Sequence, residues 1–406
     1  MPIYKLSLKA ARRLSIRAQG LDKHQHLVSG KEGAAQVVER LGYVQIDTIA
    51  VIHRAHDHII WTRHPDYDPE MLAQLLAEDR RIFEYWTHAA AYIPMGDYRY
   101  YLHRMASAHC AERQARFRRE NPRLVKEVYE RIRHNGPMAS ADFDYQDAKR
   151  GPWWDWKPAK RALEALFDTG ELMVGARRRF QRVYDLPERV LPSHIDTSLP
   201  TDDEVARFFA RRTLSTLGIA SLPQVQKLYD NRGAKKALEE LTSTGEAVPV
   251  RIEGQTSLYY ALSEALDTIP RRQRNHLHLL SPFDNLTIDR DRLQDLFGLH
   301  YRIECYTPGP KRRYGYFSLP ILWNGRFIGR LDPKAERKTK TFLVRNLVFE
   351  AGFDEYDALW PKLAEALHRF AAFNRCEMVS VEKTDPRTLR IPLVQALKTT
   401  KKPSEN

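Results

Sequence analysis

Cysteine is almost missing from this chain. Cys110, Cys305 and Cys376 are the three among 406 residues, far apart and without a Cys-x-x-Cys spacing. Their odd number and scatter argue against a disulfide framework or a thiolate zinc site and point to a reducing compartment. Long apolar runs are missing as well: nothing approaches the roughly 18 to 20 residues of a membrane span. No membrane partner is therefore expected, and the protein reads as cytoplasmic. Acidic residues are in deficit, with 52 Asp and Glu against 65 Lys and Arg and a formal net charge of +13. That sign favours a polyanionic partner, nucleic acid first, and so a nucleoid-associated protein. Hydrophobic residues make up 43% of the chain, too many for a disordered protein, and the length suits roughly two to four domains. The basic opening "MPIYKLSLKAARRLSIRAQG" lacks the apolar core and small-residue cleavage site of a leader, and reads as the first helix of the fold.

What is present is, first, an internal repeat. "KRALEALFDTGELMV" from Lys160 aligns with "KKALEELTSTGEAVPV" from Lys235 at an offset of 75, and Tyr184 and Tyr259 keep that offset. Each copy reads as a helix, a Thr-Gly stop and two β-rich stretches around a polar tip. The first tip carries Arg177, Arg178 and Arg179; the second is Glu253-Gly254-Gln255. Upstream of each copy lie a helix, a glycine turn and a short helix. That order predicts winged-helix modules, which present a helix to a DNA groove and the wing to the backbone.

The region before the repeat reads as a degenerate third module. Helices are expected near 7–19, 31–41 and 69–78, strands at 43–48 and 58–63, and a further strand through "RIFEYWTHAAAYIP". Beyond about residue 275 short β-rich runs punctuated by Pro and Gly, with an Asn324-Gly325 hairpin signal, predict a small antiparallel sheet or barrel closed by a helix at about 355–374. The expected architecture is thus α+β, tandem winged helix-turn-helix modules with a C-terminal β-rich, barrel-like unit. Expected boundaries are an N-terminal module over 1–120, winged-helix modules over 121–195 and 196–270, the β-rich unit over 271–396 and a disordered tail over 397–406.

The chemistry centres on "VQIDTI" at 44–49. In a strand Gln45 and Asp47 share a face, so an amide and a carboxylate would stand side by side at the end of a hydrophobic element. They are either a solvated strand end or a site. Hydrolysis of an N-glycosidic bond needs a group that stabilises positive charge developing on the sugar and orients a water. A carboxylate beside an amide on a rigid strand supplies both.

Other clusters bear on this pair. In "EYWTHAA" at 84–90, Glu84, Trp86 and His88 alternate onto one face, either as core with satisfied polar neighbours or as support for Gln45 and Asp47. His53, His56, His58 and His64 lie close together, and His56 and His58 would share a strand face as metal ligands do. No acidic or thiol partner completes a zinc set, so no metal is expected; His53 and its neighbours read as neutral side chains facing solvent or DNA beside the catalytic strand. Trp153, Trp154 and Trp156 read as a linker anchor, with base stacking as the alternative. Lys311, Arg312 and Arg313 in "TPGPKRRYGYF" read as a basic hairpin tip for DNA, and Arg177, Arg178 and Arg179 as phosphate contacts.

Seven segments in order, "VQIDTI", "EYWTHAA", "WWDWKPAKRALEALF", "FQRVYDL", "SPFDNL", "YRIECYTPGPKRRYGYF" and "GRLDPKAER", make the chain resemble the AlkZ/YcaQ group of winged-helix DNA glycosylases. The resemblance implies a monofunctional DNA glycosylase that excises N7-alkylated guanine from double-stranded DNA and unhooks interstrand crosslinks, with no cofactor. The family's catalytic motif is Gln-x-Gln in one branch and Gln-x-Asp in the other; Gln45 and Asp47 match the second. Monomer is the expected state. Two rivals from other classes are a non-catalytic winged-helix transcription regulator and a metal-dependent nuclease using the histidines.

Overall fold

The structure, a computed structural model, describes residues 3–22, 27–107, 116–143, 158–272 and 276–400. The chain opens with β1 (Tyr4–Leu6) and α1 (Leu8–Ala18). Ser7 caps α1, its hydroxyl accepting from the Ala10 N–H at 3.2 Å, as a Ser before an apolar-periodic run should.

The catalytic candidate lies in the next group: α2 (Lys31–Leu41), β2 (Val44–Gln45), α3 (Ala55–Arg63), α4 (Pro69–Ala77), β3 (Ile82–Trp86), β4 (Ala90–Pro94) and α5 (Tyr98–Ala106). Its sheet runs β2-β4-β3. The expected single strand through "RIFEYWTHAAAYIP" is thus a hairpin, β3 and β4, turning at Thr87–Ala89. The stretch 58–63, expected as a strand, is the body of α3. All residues of α3 but Trp61 are buried, so the helix has no polar face, and helical periodicity cannot be read from a segment that buries every side.

The repeat follows as α6 (Pro122–Asn135), β5 (Met138–Ala139), α7 (Pro158–Asp168), β6 (Met173–Arg178) and β7 (Gln181–Asp185). The second copy is α8 (Asp202–Leu217), β8 (Ala220–Ser221), α9 (Leu222–Tyr229), α10 (Ala234–Ser243), β9 (Ala247–Ile252) and β10 (Leu258–Leu262). Sheets β5-β7-β6 and β8-β10-β9 have one order. Tyr184 pairs with Met138 and Val174, and Tyr259 with Ser221 and Val250, so the two tyrosines hold the same place. Both Thr-Gly stops take a left-handed turn, with φ +77° at Gly170 and +79° at Gly245, a conformation glycine adopts without strain. The second sheet gains a parallel fourth strand, β1, beside β9. Leu6, Ala10, Ala11 and Leu14 join its core with Ile219 and Val250.

The C-terminal unit is β11 (Leu277–Leu279), α11 (Arg290–Phe297), β12 (Leu319–Trp323), β13 (Arg326–Glu336), β14 (Thr341–Phe349), α12 (Tyr356–Phe373), β15 (Met378–Val381), β16 (Thr384–Asp385) and α13 (Arg390–Thr399). Its six-stranded curled sheet runs β11-β12-β13-β14-β15, with β16 also on β14. The Asn324-Gly325 turn between β12 and β13 has φ +49° and +76°, as that dipeptide predicts. Residues 397–399, expected in a disordered tail, close α13, and the Leu397 carbonyl accepts from His368 at 3.0 Å; residues 401–406 lie outside the described residues. No helix among the described residues is long and apolar enough to cross a membrane.

Candidate active site

Gln45 is positioned by backbone. α2 ends at Gly42, whose φ of +71° turns the chain into β2. Asn285, in the loop after β11, donates its amide to the carbonyls of Leu41 and Tyr43 at 3.3 and 3.1 Å. Val44 and Gln45 pair with Tyr92 and Ala91 of β4, and the Ile46 N–H reaches Ala90 O at 2.8 Å. The Gln45 side chain is 8% exposed, and its Oε1 meets His88 Nε2 at 2.9 Å. Burial, with help from Arg104, lowers the His88 pKa, so the ring is neutral, and an Nε2–H tautomer donates to Gln45. The amide NH₂ is then the end left for a ligand.

The expected strand to Thr48 stops at Gln45, and Asp47 owes its position to a turn instead. Its Oδ1 accepts from the Ile49 N–H at 2.7 Å, an Asx turn, and among the described residues Oδ2 has no hydrogen bond. Asp47 is half-buried; burial raises its pKa while the Ile49 N–H opposes the rise. The chain then crosses to the C-terminal unit. The carbonyls of Val51 and Ala50 accept from Ala335 N (2.8 Å) and Arg337 (3.0 Å), and the His53 N–H donates to Asn374 Oδ1 (2.7 Å). Ile52 and Ala55 are buried with Phe317, Leu319 and Leu331. Asp47 thus sits at a seam, with one module before it and the β-rich unit after it.

Glu84 does not touch Gln45. Its side chain is fully buried, with Arg177 and Arg182 both paired to it; Arg177 holds it through Nε and Nη2 at 2.9 Å each. The wing tip of the first copy is therefore tied to the sheet that carries Gln45. Phe180 completes the joint, lying 3.9 Å from the Arg54 guanidinium, 4.4 Å from that of Arg177 and stacked on His56 at 5.8 Å. Of the three arginines expected at phosphate, Arg177 turns inward, whereas Arg178, 3.3 Å from Asp142, and Arg179 are exposed.

His53 and His56 both stand 3.8 Å from the Asp57 carboxylate, but because α3 is a helix His56 and His58, two residues apart, lie about 200° around it. Burial lowers both to about 4. His58 donates to Leu279 O at 2.7 Å, His64 meets Gly30 O at 2.9 Å, and His53 packs on Phe373 at 4.5 Å. Among the described residues no three His, Cys, Asp or Glu are gathered as metal ligands. Cys110, Trp153, Trp154 and Trp156 lie outside the described residues.

Lys311, Arg312 and Arg313 are on no hairpin. They occupy a loop with a 3-10 turn at Gly309–Lys311, because the Glu304 carboxylate collects the N–H groups of Arg313, Tyr314 and Gly315 at 3.1, 2.8 and 3.0 Å and satisfies the backbone without a ladder.

The sequence profile of the DNA glycosylase AlkZ-like family matches residues 38–373. The chain belongs to the AlkZ-like DNA glycosylase family. It is a DNA-acting enzyme, which sets aside the non-catalytic regulator. Among solved structures, Streptomyces sahachiroi DNA glycosylase AlkZ is similar in fold, with a TM-score of 0.58 at 17% identity over 93% of this chain and 100% of that one.

Three parts of the candidate site were not legible in the sequence: Asn285 beneath β2, the Ala335 and Arg337 donors behind Asp47, and the grip of Arg177 and Arg182 on Glu84. All lie within "SPFDNL", "GRLDPKAER" and the wing around "FQRVYDL", segments whose wording was distinctive but whose partners are more than 90 residues away for the wing and more than 240 for the other two.

Proposed function

We propose that this DNA glycosylase hydrolyses the N-glycosidic bond of N7-alkylated guanine, without a lyase step, and unhooks interstrand crosslinks joined through guanine N7. The observation that supports the reading is a half-buried Asp47 carboxylate two residues along from a Gln45 amide whose oxygen is held by neutral His88. Asp47 stabilises the positive charge that develops on the sugar, and the Gln45 NH₂ end holds the attacking water or the sugar. An N7-alkylated guanine is already cationic and departs neutral, so it needs no proton from the protein. That matches a site whose nearest imidazole N–H is spent on Gln45.

The crosslink reading rests on access. A crosslinked guanine is tied to the opposite strand and cannot be extruded whole into a closed pocket. Gln45 and Asp47 lie on a short strand and a turn at a seam between units, and cavities such as the one of about 310 Å³ bordered by Trp61, His278 and Arg369 are lined by other residues. The catalytic groups come to the sugar while the base stays in the duplex. Exposed Arg178, Arg179, Lys311 and Arg313 hold the phosphates, one chain suffices as a monomer, and the workplace is the nucleoid.

The test is single-turnover release from duplexes carrying N7-methylguanine or a flexible N7–N7 crosslink, with and without chelator. Both should react, with rates within about a hundredfold, or roughly 3 kcal/mol, and chelator should change neither. Asp47→Asn should slow release by roughly a hundredfold or more, the scale of a lost transition-state electrostatic contact, while duplex binding persists. Methyl-adduct release with no unhooking removes the crosslink half of the proposal; normal release by Asp47→Asn removes the catalytic assignment.

A further inference from the structure

Beside the seam one aromatic side chain is out of place. Tyr306 is 86% exposed, yet it stands on a loop that is anything but slack. Glu304 ties the far limb of that loop through three backbone N–H groups, and Arg312 Nε donates to the Thr307 carbonyl at 2.8 Å. Pro308 and Pro310 restrict the backbone between them. The other aromatics of the loop are occupied: the Arg312 guanidinium lies 4.9 Å from the Tyr316 ring and that of Arg313 lies 5.0 Å from Tyr314. No ring or guanidinium among the described residues stacks on Tyr306.

The loop also shares an apolar core with the turn that carries Asp47. Ile303 and Tyr316, at its two ends, pack on the same apolar cluster as Ile49, Val51 and Ile52, the residues that follow Asp47. Electrostatics agrees: the Tyr306 phenol is raised by neighbouring Cys305, by slight burial and by the Asp47 charge, and burial followed by Asp47 raises the Cys305 thiol. A bare ring on a braced backbone, beside a carboxylate that acts on DNA and flanked by Lys311 and Arg313, has the make-up of a base-stacking platform.

We propose that Tyr306 is a substrate-positioning residue whose ring stacks on a nucleobase next to the reacting nucleotide, holding the strand so that the sugar faces Asp47. The loop arginines and Lys311 supply charge to the phosphates, and the ring supplies register. The idea rests on the DNA glycosylase reading of Asp47, but its readout is independent of base release.

The experiment uses the full chain with Tyr306→Ala and Tyr306→Phe, and duplexes carrying the fluorescent base 2-aminopurine beside either guanine or N7-methylguanine. Fluorescence on binding reports stacking and titration gives affinity. Tyr306→Ala should weaken binding about tenfold, or ~1.4 kcal/mol, and abolish the fluorescence change, while Tyr306→Phe should stay within about twofold of the parent in both. Equal losses in the two variants overturn the proposal in favour of a role for the hydroxyl. Parental behaviour of Tyr306→Ala overturns it altogether. If the parent protein fails to release N7-methylguanine, the function proposal falls while the fluorescence comparison still decides this one.

Discussion

The two copies of the repeat are built alike and tethered differently. In both, a helix ends on a Thr-Gly turn and a hairpin returns beside a short first strand, with a tyrosine at the same register. The first wing reaches across to the module that carries Gln45, setting the partly buried Arg177 and Arg182 guanidiniums on buried Glu84 and placing Phe180 against Arg54 and His56. The second wing reaches back to the start of the chain. Glu253 N–H donates to Leu6 O at 2.9 Å, Gln255 to Asp295 O at 2.9 Å, and β1 completes its sheet. The difference teaches that a winged-helix hairpin is a neutral scaffold. The first copy grips through the side chains of its tip and return strand, the second mainly through its backbone.

Four experiments bear on that contrast, from the largest expected effect to the smallest. Glu84→Gln removes the buried carboxylate to which Arg177 and Arg182 are both paired, leaving two guanidiniums poorly compensated. It should lower unfolding stability by about 3 kcal/mol, read by denaturant titration. Glu253→Gln at the exposed second tip should change stability by no more than about 0.5 kcal/mol. Similar values for the two would mean that the wings are tethered alike after all.

Leu6→Ala probes the other tether. Leu6 is 6% exposed in the core shared by β1, α1 and β9, and truncation should cost about 2 kcal/mol with little change in single-turnover excision. A loss of excision larger than the loss of folded protein would show that the second copy is coupled to the module that carries Gln45.

Acidification tests the first side through Asp47. Burial raises the Asp47 pKa above its ordinary value of 3.8, so its carboxylate form is lost at a higher pH than for a free aspartate. Excision should fall about tenfold per pH unit below that point. The stability sign is opposite: a raised folded pKa means the fold binds the proton more tightly, so the Asp47 contribution is full below the unfolded pKa and is lost as pH rises through the folded one. The β1–β9 pairing, with no carboxylate in its register, should not respond. A pH-independent excision rate across the acid range would contradict the role of Asp47.

The smallest effect is electrostatic. Arg178→Ala with Arg179→Ala should weaken binding to damaged and undamaged duplex alike by several-fold and reduce the salt slope by up to about 2, near 0.9 per phosphate contact. Arg177→Ala, whose guanidinium is already held by Glu84, should instead act through stability. A selective loss on lesion DNA at unchanged salt slope would assign lesion reading to the tip.

By itself the sequence determined whatever is local or carried by repetition. The duplicated helix–hairpin grammar, the Thr-Gly stops, the Asn324-Gly325 turn and the closing helix near 355–374 follow from backbone preferences that act within a few residues. The polar pair Gln45 and Asp47 was visible as two hydrophilic residues inside an apolar run. Only the tertiary structure decided what those residues do next. α3 shows no periodicity because nearly every side of it is buried, and as a strand the same residues would put His56 and His58 on one face. The basic loop was mistaken for a hairpin because one glutamate can satisfy three backbone N–H groups that would otherwise require a partner strand. Arg177 was indistinguishable in sequence from Arg178 and Arg179; its inward turn depends on a buried carboxylate 93 residues earlier. The position of Asp47 depends on Ala335 of β13, on Arg337 just beyond it and on Asn285 beneath β2, contacts spanning more than 240 residues. Such contacts form only after the chain has folded back on itself, and no local preference of the residues involved announces them.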